Sequence, residues 1–289
     1  MKFVTYFSGI LISLIYLAIQ SIFGPLSMNF DLAFSGILLF TLGLPHGAGD
    51  HLIAARLNKS ENGNFQLSKF IISYIGVMAL YGISWYYLPT ISLLVFIGIS
   101  VFHFGDIEQE NTGEQNEHKF TYGIQILRSM VLGSGILGWI LATHWTETKA
   151  ILEDMHLVIN IQLPPYAAEI SLVFIIVCYQ TKNSAYFIHT LITLLIGKYL
   201  PLYPAFMCYF GACHAVYSLK LMSKHLEISI ISLLYRLLPF SLLATMFGIG
   251  YVIIFQNQII VTQLFIFLSL LTLPHFFLMH NMALLKPQG

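Results

Sequence analysis

The chain has 289 residues, of which 57% are apolar and only 9% are Asp, Glu, Lys or Arg. Soluble domains carry about 25% charged residues, so this composition excludes a soluble protein. The formal net charge is zero, which leaves no basic surface for nucleic acid, and the three cysteines form neither a disulfide framework nor a CxxC site. The sequence therefore predicts an integral membrane protein.

Apolar stretches recur along the whole chain. A helix needs about 20 apolar residues to cross a bilayer core, and the sequence contains ten stretches of suitable length. We predict an all-α, polytopic membrane helical bundle that forms one transmembrane domain over residues 1–289, with polar loops at 57–67 and 106–119 and a short interfacial segment at 145–160. The ten predicted spans are 4–23, 31–51, 68–87, 89–107, 121–142, 165–181, 184–201, 203–222, 238–256 and 260–281.

The basic residues favour one orientation in the membrane. With the N-terminus inside, most lysines and arginines of the predicted loops face the cytoplasm, and Lys149 and Lys198 remain on the other side. This asymmetry follows the positive-inside rule, and an even number of spans returns the C-terminus to the cytoplasm. We therefore expect a multi-pass protein of the cell inner (plasma) membrane with both termini cytoplasmic.

Four of the eleven histidines lie inside apolar runs: His46, His103, His214 and His275. On the predicted spans they share a slab roughly 8 Å thick, given a rise of 1.5 Å per residue. One intramembrane histidine alone more often makes a helix–helix hydrogen bond. Four at one depth favour a shared transition metal, because polar groups in hydrocarbon need partners and neutral imidazole suits Fe, Zn, Cu or Ni.

Two carboxylates follow these histidines closely. Asp50 lies one turn beyond His46, and Asp106 lies three residues beyond His103. Either one is a candidate to orient a ligating imidazole by accepting its second N–H, and either one can instead simply mark a helix end at the cytoplasmic interface.

Six further histidines are weaker candidates. His51 and His280 lie five residues beyond His46 and His275, which places them off the same helix faces at 100° per residue. Four others fall in or near polar loops and are expected on the solvated surface: His118, His144, His156 and His225.

Around the four histidines the sequence resembles the Brp/Blh family of membrane-bound β-carotene 15,15′-dioxygenases. The order and spacing of the motifs also match, so the resemblance covers residues 30–285. The matching pieces are GLPHGAGD at 43–50, FHFGD at 102–106, YFGACHAVYSLK at 209–220 and LTLPHFF at 271–277.

The resemblance implies an iron-dependent enzyme that cleaves the central double bond of β-carotene with O2 and forms two all-trans-retinal. It implies Fe²⁺ as the cofactor, the lipid bilayer as the source of the substrate, and a microbial rhodopsin apoprotein as a recipient of retinal. By the same resemblance, His46, His103 and His214 are catalytic iron ligands. The aromatic candidates for substrate contact are Phe104, Tyr209 and Tyr217, although aromatic residues in membrane helices mostly serve packing.

The fourth histidine of the family is missing from its expected position. In the family it belongs to an HSxxH-like element that follows the third histidine, but four residues after His214 this chain has Ser218. Three explanations are open: three histidines and water hold the iron, His275 supplies the fourth nitrogen, or the site has lost iron and activity. We favour His275, because its predicted depth in the membrane matches that of the other three histidines, an argument that does not depend on the family. The Ser218 hydroxyl is then a candidate to hydrogen-bond a bound water or O2.

Several other functions fit the sequence less well. A transporter or proton channel predicts an inverted internal repeat, which the sequence does not show. A membrane di-iron desaturase predicts HxxxH and HxxHH boxes, which the sequence lacks, and a rhodopsin needs a lysine within its last span, whereas Lys286 lies beyond it. A non-catalytic relative that delivers retinal stays open because of Ser218.

Overall fold

A computed structural model describes residues 2–60, 63–111, 122–155, 157, 162–178, 184–254 and 260–284. All regular secondary structure in these ranges is helical, and two segments are π-helical. The elements are α1 (Lys2–Phe23), α2 (Met28–Leu38), π1 (Leu39–Gly43), α3 (Leu44–Gly47), α4 (Asp50–Ser60), α5 (Leu67–Tyr87), α6 (Pro89–Asn111), α7 (Tyr122–Thr143), α8 (Trp145–Asp154), α9 (Ala167–Cys178), α10 (Ser184–Gly197), α11 (Leu202–Tyr209), π2 (Phe210–Ala215), α12 (Val216–His225), α13 (Ile230–Ile254) and α14 (Ile260–Leu284).

Six helical stretches within the described ranges are long and apolar enough to cross a membrane. Three further apolar helices are shorter: Phe7–Phe23, Ala167–Cys178 and Tyr186–Gly197. The prediction of a helical membrane bundle is confirmed, and the described residues contain six of the ten predicted spans at full length. The six are Met28–Lys59, Leu67–Tyr87, Pro89–Gln109, Gly123–Thr143, Ile230–Ile254 and Ile260–Met282.

Three of the predicted spans are shorter or divided among several elements within the described residues. The described parts of α9 and α10 have 12 and 14 residues, so at 1.5 Å per residue they measure about 18 Å and about 21 Å, less than the roughly 30 Å of a hydrocarbon core. The predicted span 203–222 is divided among α11, π2 and α12. Apolar runs of sufficient length in the sequence are therefore not always single straight helices.

The chain forms two compact units. The first unit comprises Met1–Gly43, Val101–Lys149 and Asn160–Ser218. The second unit comprises Leu44–Ser100, Ala150–Ile159 and Leu219–Gly289.

In the first unit, α1 packs against α10 and α11, α7 packs against α9, and π1 contacts π2. The part of α6 in this unit approaches α7 backbone to backbone through two glycines. A methyl group added at Gly105 would overlap the carbonyl of Ser129, and one added at Gly133 would overlap the carbonyl of Val101. Small residues permit such close helix packing in membranes, and here they fix the end of α6 against α7.

In the second unit, α14 packs against α3, α4, α5 and α13. An aromatic contact supports this arrangement, since the rings of Trp85 and Phe96 both meet Phe265 of α14 edge to face. The residues of the surrounding apolar core are Met78, Tyr81, Trp85, Leu93, Phe96, Met155, Leu157 and Leu270.

The predicted polar loop at 106–119 is wrong over its first part. Helix α6 continues to Asn111, and the side chains of Asp106, Glu108 and Gln109 are buried. Their polarity suggested a loop, but Glu108 accepts a hydrogen bond from Tyr209 and Gln109 donates to the carbonyl of Gln125 within the first unit. Residues 112–119 lie outside the described ranges.

The predicted surface location of His144 is also wrong. Its ring is buried, with Nδ1 2.8 Å from the carbonyl oxygen of Ile140 and Nε2 2.8 Å from that of Leu200. Backbone carbonyls replace water around this imidazole, so its neighbourhood in the sequence does not report its burial. His225 is half-buried, and His118 and His156 lie outside the described residues.

Candidate metal centre

The first unit brings two of the four predicted ligands into direct contact. His103 of α6 and His214 of π2 are both buried, with their Nε2 atoms 3.2 Å apart and their ring planes at 73°. The glycine contacts of α6 with α7 fix the position of His103. The π-helical segment carries His214, and such segments occur often at functional sites because they shift side chains out of the regular helical register.

The second unit brings the other two predicted ligands together. His46 of α3 and His275 of α14 are buried, and their ring centroids lie 4.8 Å apart with the planes nearly perpendicular at 86°. The apolar run that contains His46 is interrupted there, because π1 ends at Gly43 and residues 48–49 form a turn after α3. This short helical segment presents His46 towards α14.

Asp50 holds His275 by a short hydrogen bond. The Nδ1 atom of His275 lies 2.7 Å from Oδ1 of Asp50, and both side chains are at most 5% exposed. A carboxylate only accepts, so Nδ1 carries a proton, and Nε2 is the ring nitrogen that would bind a metal ion. Carboxylate–histidine pairs of this kind orient metal ligands and raise their basicity.

The histidine in contact with Asp50 is therefore His275 of α14 and not the neighbouring His46. The turn at residues 48–49 separates α3 from α4, so the helical spacing that would have placed Asp50 over His46 does not apply. Asp106 is buried on α6, three residues after His103, as the sequence places it. Its role as an orienting group stays a prediction.

Aromatic rings surround His214 in the first unit. The centroid of the Phe104 ring lies 4.8 Å from that of His214, and the Phe210 ring stacks at 5.8 Å. Tyr209 packs edge to face on Phe104 and donates its hydroxyl to Oε1 of the fully buried Glu108 at 3.1 Å. The surroundings of His214 are thus largely apolar. The buried carboxyl group of Glu108 is linked to the site through Tyr209.

Tyr217 belongs to a second buried polar group in the first unit. Its hydroxyl lies 2.7 Å from Nδ1 of His189, and its ring meets Tyr186 at a centroid distance of 3.8 Å. Cys213 lies 4.0 Å from Nε2 of His189 through its sulfur. Contact of Phe104, Tyr209 and Tyr217 with a substrate stays a prediction, but each ring has a defined packing partner.

Ser218 is completely buried on α12, and its hydroxyl has no hydrogen-bond partner among the residues that the structure describes. The reserve candidates lie in other surroundings. The ring of His51 stacks on that of Phe240 at a centroid distance of 4.1 Å, and its Nδ1 atom contacts the carbonyl of Ala48. The ring of His280 stacks on Phe276.

The geometry of the first pair fits a transition metal. Two imidazole nitrogens that bind one first-row ion at about 2.1 Å, with an angle of about 100° between the bonds, lie about 3.2 Å apart. The Nε2 atoms of His103 and His214 are separated by this distance. Neutral imidazoles can also share the contact as an N–H···N hydrogen bond, so the distance is compatible with a metal and does not require one.

Three polar residues that are buried or half-buried were not identified from the sequence. Tyr74 donates to Asp50 at 2.8 Å, although it lies in α5, remote from every histidine motif. Glu108 was assigned to a loop, and His189 was not singled out. His189 could have been found as a polar residue inside an apolar run. Tyr74 and Glu108 carried no such signal in the sequence.

The family model described as β-carotene 15,15′-dioxygenase matches residues 37–283. One relative, a protein of uncultured marine bacterium 66A03 that carries the same name, is 37% identical over 68 residues, which cover 24% of this chain and 25% of the relative. No solved structure matches the chain. Because the family model spans well over half of the residues, the chain belongs to the β-carotene 15,15′-dioxygenase family.

Proposed function

We propose that this protein cleaves the central 15,15′ double bond of β-carotene with O2 and releases two all-trans-retinal. The observation that carries this proposal is the buried contact of His103 with His214, at a distance suited to two ligands of one ion and within the family match. Each atom of O2 ends on one carbon of the broken double bond. The overall reaction therefore needs no external reductant.

The proposed ligands of Fe²⁺ are His46, His103, His214 and His275. Within each unit, two of these imidazoles lie against each other in a buried position. Neutral imidazole is a suitable ligand for iron, and because Asp50 accepts from Nδ1 of His275, Nε2 is the nitrogen that would bind the ion. His275 takes the place of the family's fourth histidine, where this chain has Ser218.

Bound Fe²⁺ would supply a binding site for O2 and the electrons that activate it. The protein residues supply position and a dry environment. Phe104 and Phe210 flank His214 and exclude water from that side. The buried hydroxyl of Ser218 is suited to hydrogen-bond a water or O2, and Tyr209 and Tyr217, with Phe104, are the proposed aromatic contacts of the polyene.

The apolar character of substrate and product agrees with the membrane helices of the protein. β-Carotene dissolves in the hydrocarbon core, so an enzyme that lies in the bilayer meets its substrate there. We propose the cell inner membrane as the location, with both termini cytoplasmic, and a microbial rhodopsin apoprotein as a recipient of the retinal.

Co-expression in a bacterium that makes β-carotene tests the proposal. We expect loss of carotenoid and accumulation of retinal, measured by chromatography of extracts, and loss of retinal on separate replacement of each of the four histidines by alanine. His144→Ala is the matched control, because this buried imidazole is held by two backbone carbonyls. Unchanged carotenoid with correctly inserted protein would contradict the proposal.

The second candidate is a non-catalytic relative that delivers retinal or resembles a transporter. The observation that favours it is Ser218 at the position of the fourth family histidine. This function predicts that purified protein binds added retinal while β-carotene in the co-expressing cells stays intact. Formation of retinal from β-carotene would exclude it.

A further inference from the structure

A tyrosine outside the family motifs contacts the group that holds His275. The hydroxyl of Tyr74 lies 2.8 Å from Oδ2 of Asp50, while the other carboxylate oxygen, Oδ1, lies 2.7 Å from Nδ1 of His275. Asp50 is the first residue of α4, Tyr74 lies in α5 and His275 lies in α14. The carboxylate therefore joins three helices of the second unit.

The direction of the tyrosine hydrogen bond follows from the distances. The hydroxyl has a single proton and two acceptors nearby, Oδ2 of Asp50 at 2.8 Å and the carbonyl oxygen of Leu271 at 3.4 Å. The carboxylate is both closer and charged, and hydrogen bonds to ionised acceptors are the stronger ones. Tyr74 therefore donates to Asp50.

The second hydrogen bond determines how the carboxylate is oriented. The terminal torsion of an aspartate side chain is broad and roughly two-fold, so one hydrogen bond leaves its plane loosely defined. With His275 on one oxygen and Tyr74 on the other, the plane of Asp50 is fixed from both sides. A fixed carboxylate in turn fixes the rotation of the imidazole that it accepts from.

We propose that Tyr74 is a positioning residue of the metal centre, which acts through Asp50 to hold His275 in the orientation that binds the ion. This inference rests on the proposed function, because it takes His275 as a ligand. It assigns to α5 a role in metal binding in addition to its packing against α14. The helix is thus tied to the site by one hydroxyl group.

Tyr81 offers a matched control on the same helix. It lies seven residues after Tyr74, is itself buried, and donates its hydroxyl to the backbone carbonyl of Ser92 at 2.7 Å. Phenylalanine at either position removes one hydroxyl from the second unit and leaves the ring in place. Only the change at position 74 alters the surroundings of Asp50.

The test is titration of metal-free protein in detergent with Co²⁺ as the probe, followed by its visible absorption bands and by competition with a chelator. The variants are Tyr74→Phe, Asp50→Asn, the double variant of both, and Tyr81→Phe. Thermal unfolding of each metal-free protein checks that it is folded. Because Co²⁺ binding is measured directly, the result does not depend on catalytic activity.

We expect one Co²⁺ per wild-type chain, a loss of affinity of about tenfold in Tyr74→Phe, and a change of less than about twofold in Tyr81→Phe. In the double variant, Tyr74→Phe should add less than about twofold to the loss caused by Asp50→Asn, because the two residues act in series. Tyr74→Phe with wild-type affinity and spectrum, or losses that multiply in the double variant, would overturn the role of Tyr74 alone. A folded wild-type protein that binds no Co²⁺ would instead overturn the proposed metal centre.

Discussion

Replacement of Gly105 by alanine tests how the first unit positions His103. Gly105 faces α7 so closely that an added Cβ would overlap the carbonyl oxygen, the carbonyl carbon and the Cα of Ser129. All three are backbone atoms, so no side chain can rotate to relieve the overlap. The two helices would have to separate until the oxygen is at least 3.0 Å from the new methyl group.

Two opposing terms set the effect on stability. Alanine is favoured over glycine within a helix by about 1 kcal/mol. Overpacking of a tight contact costs about 1–3 kcal/mol, and a clash with backbone belongs at the upper end of that range. We therefore expect Gly105→Ala to lower the free energy of unfolding by about 1–2 kcal/mol in total.

Gly105→Ala should lower the rate of retinal formation strongly even though it destabilises the protein only moderately. His103 lies two residues before Gly105 on α6, so it moves with the helix, and its contact with His214 at 3.2 Å cannot survive an appreciable separation. A misplacement of about 1 Å in a reacting constellation can lower the rate by about a hundredfold. We expect a loss of retinal formation of that order while the protein still inserts into the membrane.

Gly98→Ala is the control for this experiment. Gly98 lies two turns earlier on α6, and an added methyl group there would meet no atom within 4 Å. This variant should be as stable as wild type or slightly more stable, with unchanged retinal yield. The measurements are thermal unfolding in detergent and retinal yield per folded protein. Equal behaviour of the two variants would refute the conclusion that the α6–α7 contact positions His103.

Three further predictions concern individual side chains. His275→Ala should lower iron content and retinal formation by at least about a hundredfold, whereas Ser218→Ala should change both by less than about threefold; the reverse order would exclude His275 as the fourth ligand. Tyr209→Phe removes the hydroxyl that donates a hydrogen bond to Glu108 and should lower the unfolding free energy by about 1–3 kcal/mol. An unchanged melting temperature would contradict a stabilising role of this hydrogen bond. His144→Ala removes the imidazole that lies between the carbonyls of Ile140 and Leu200 and should cost about 2 kcal/mol with iron binding intact. Loss of iron from folded protein would contradict the purely structural role of His144.

Long apolar helices were predicted well from the sequence. The predicted spans 68–87, 121–142 and 260–281 agree closely with α5, α7 and α14, because such helices depend on local hydropathy and on breaks at turns. Boundaries next to charged residues were predicted less well. Helix α13 begins at Ile230 and not at 238, since exposed Arg236 continues the helix outside the apolar window.

The sequence singled out the four histidines, but it did not show which of them lie in contact or what holds them. An imidazole in an apolar run is a conspicuous signal, and the structure pairs His103 with His214 and His46 with His275. The partner of Asp50 lies 225 positions away in the chain. Spacing along one helix cannot reveal such a contact, and a turn after α3 removed the one helical relationship on which the local prediction depended.

The contact of Asp50 with His275 changes the electrostatics expected for the proposed centre. Four neutral imidazoles leave the charge of Fe²⁺ uncompensated, which is unfavourable in a buried site of low dielectric constant. Asp50 provides one negative charge at hydrogen-bond distance from His275, and the hydroxyl of Tyr74 stabilises that charge without cancelling it. The proposed ligands themselves are thus neutral, and the negative charge lies on Asp50, which is hydrogen-bonded to the ligand His275. For this reason, replacement of Asp50 by asparagine should weaken binding of a divalent ion more than a change of imidazole orientation alone would.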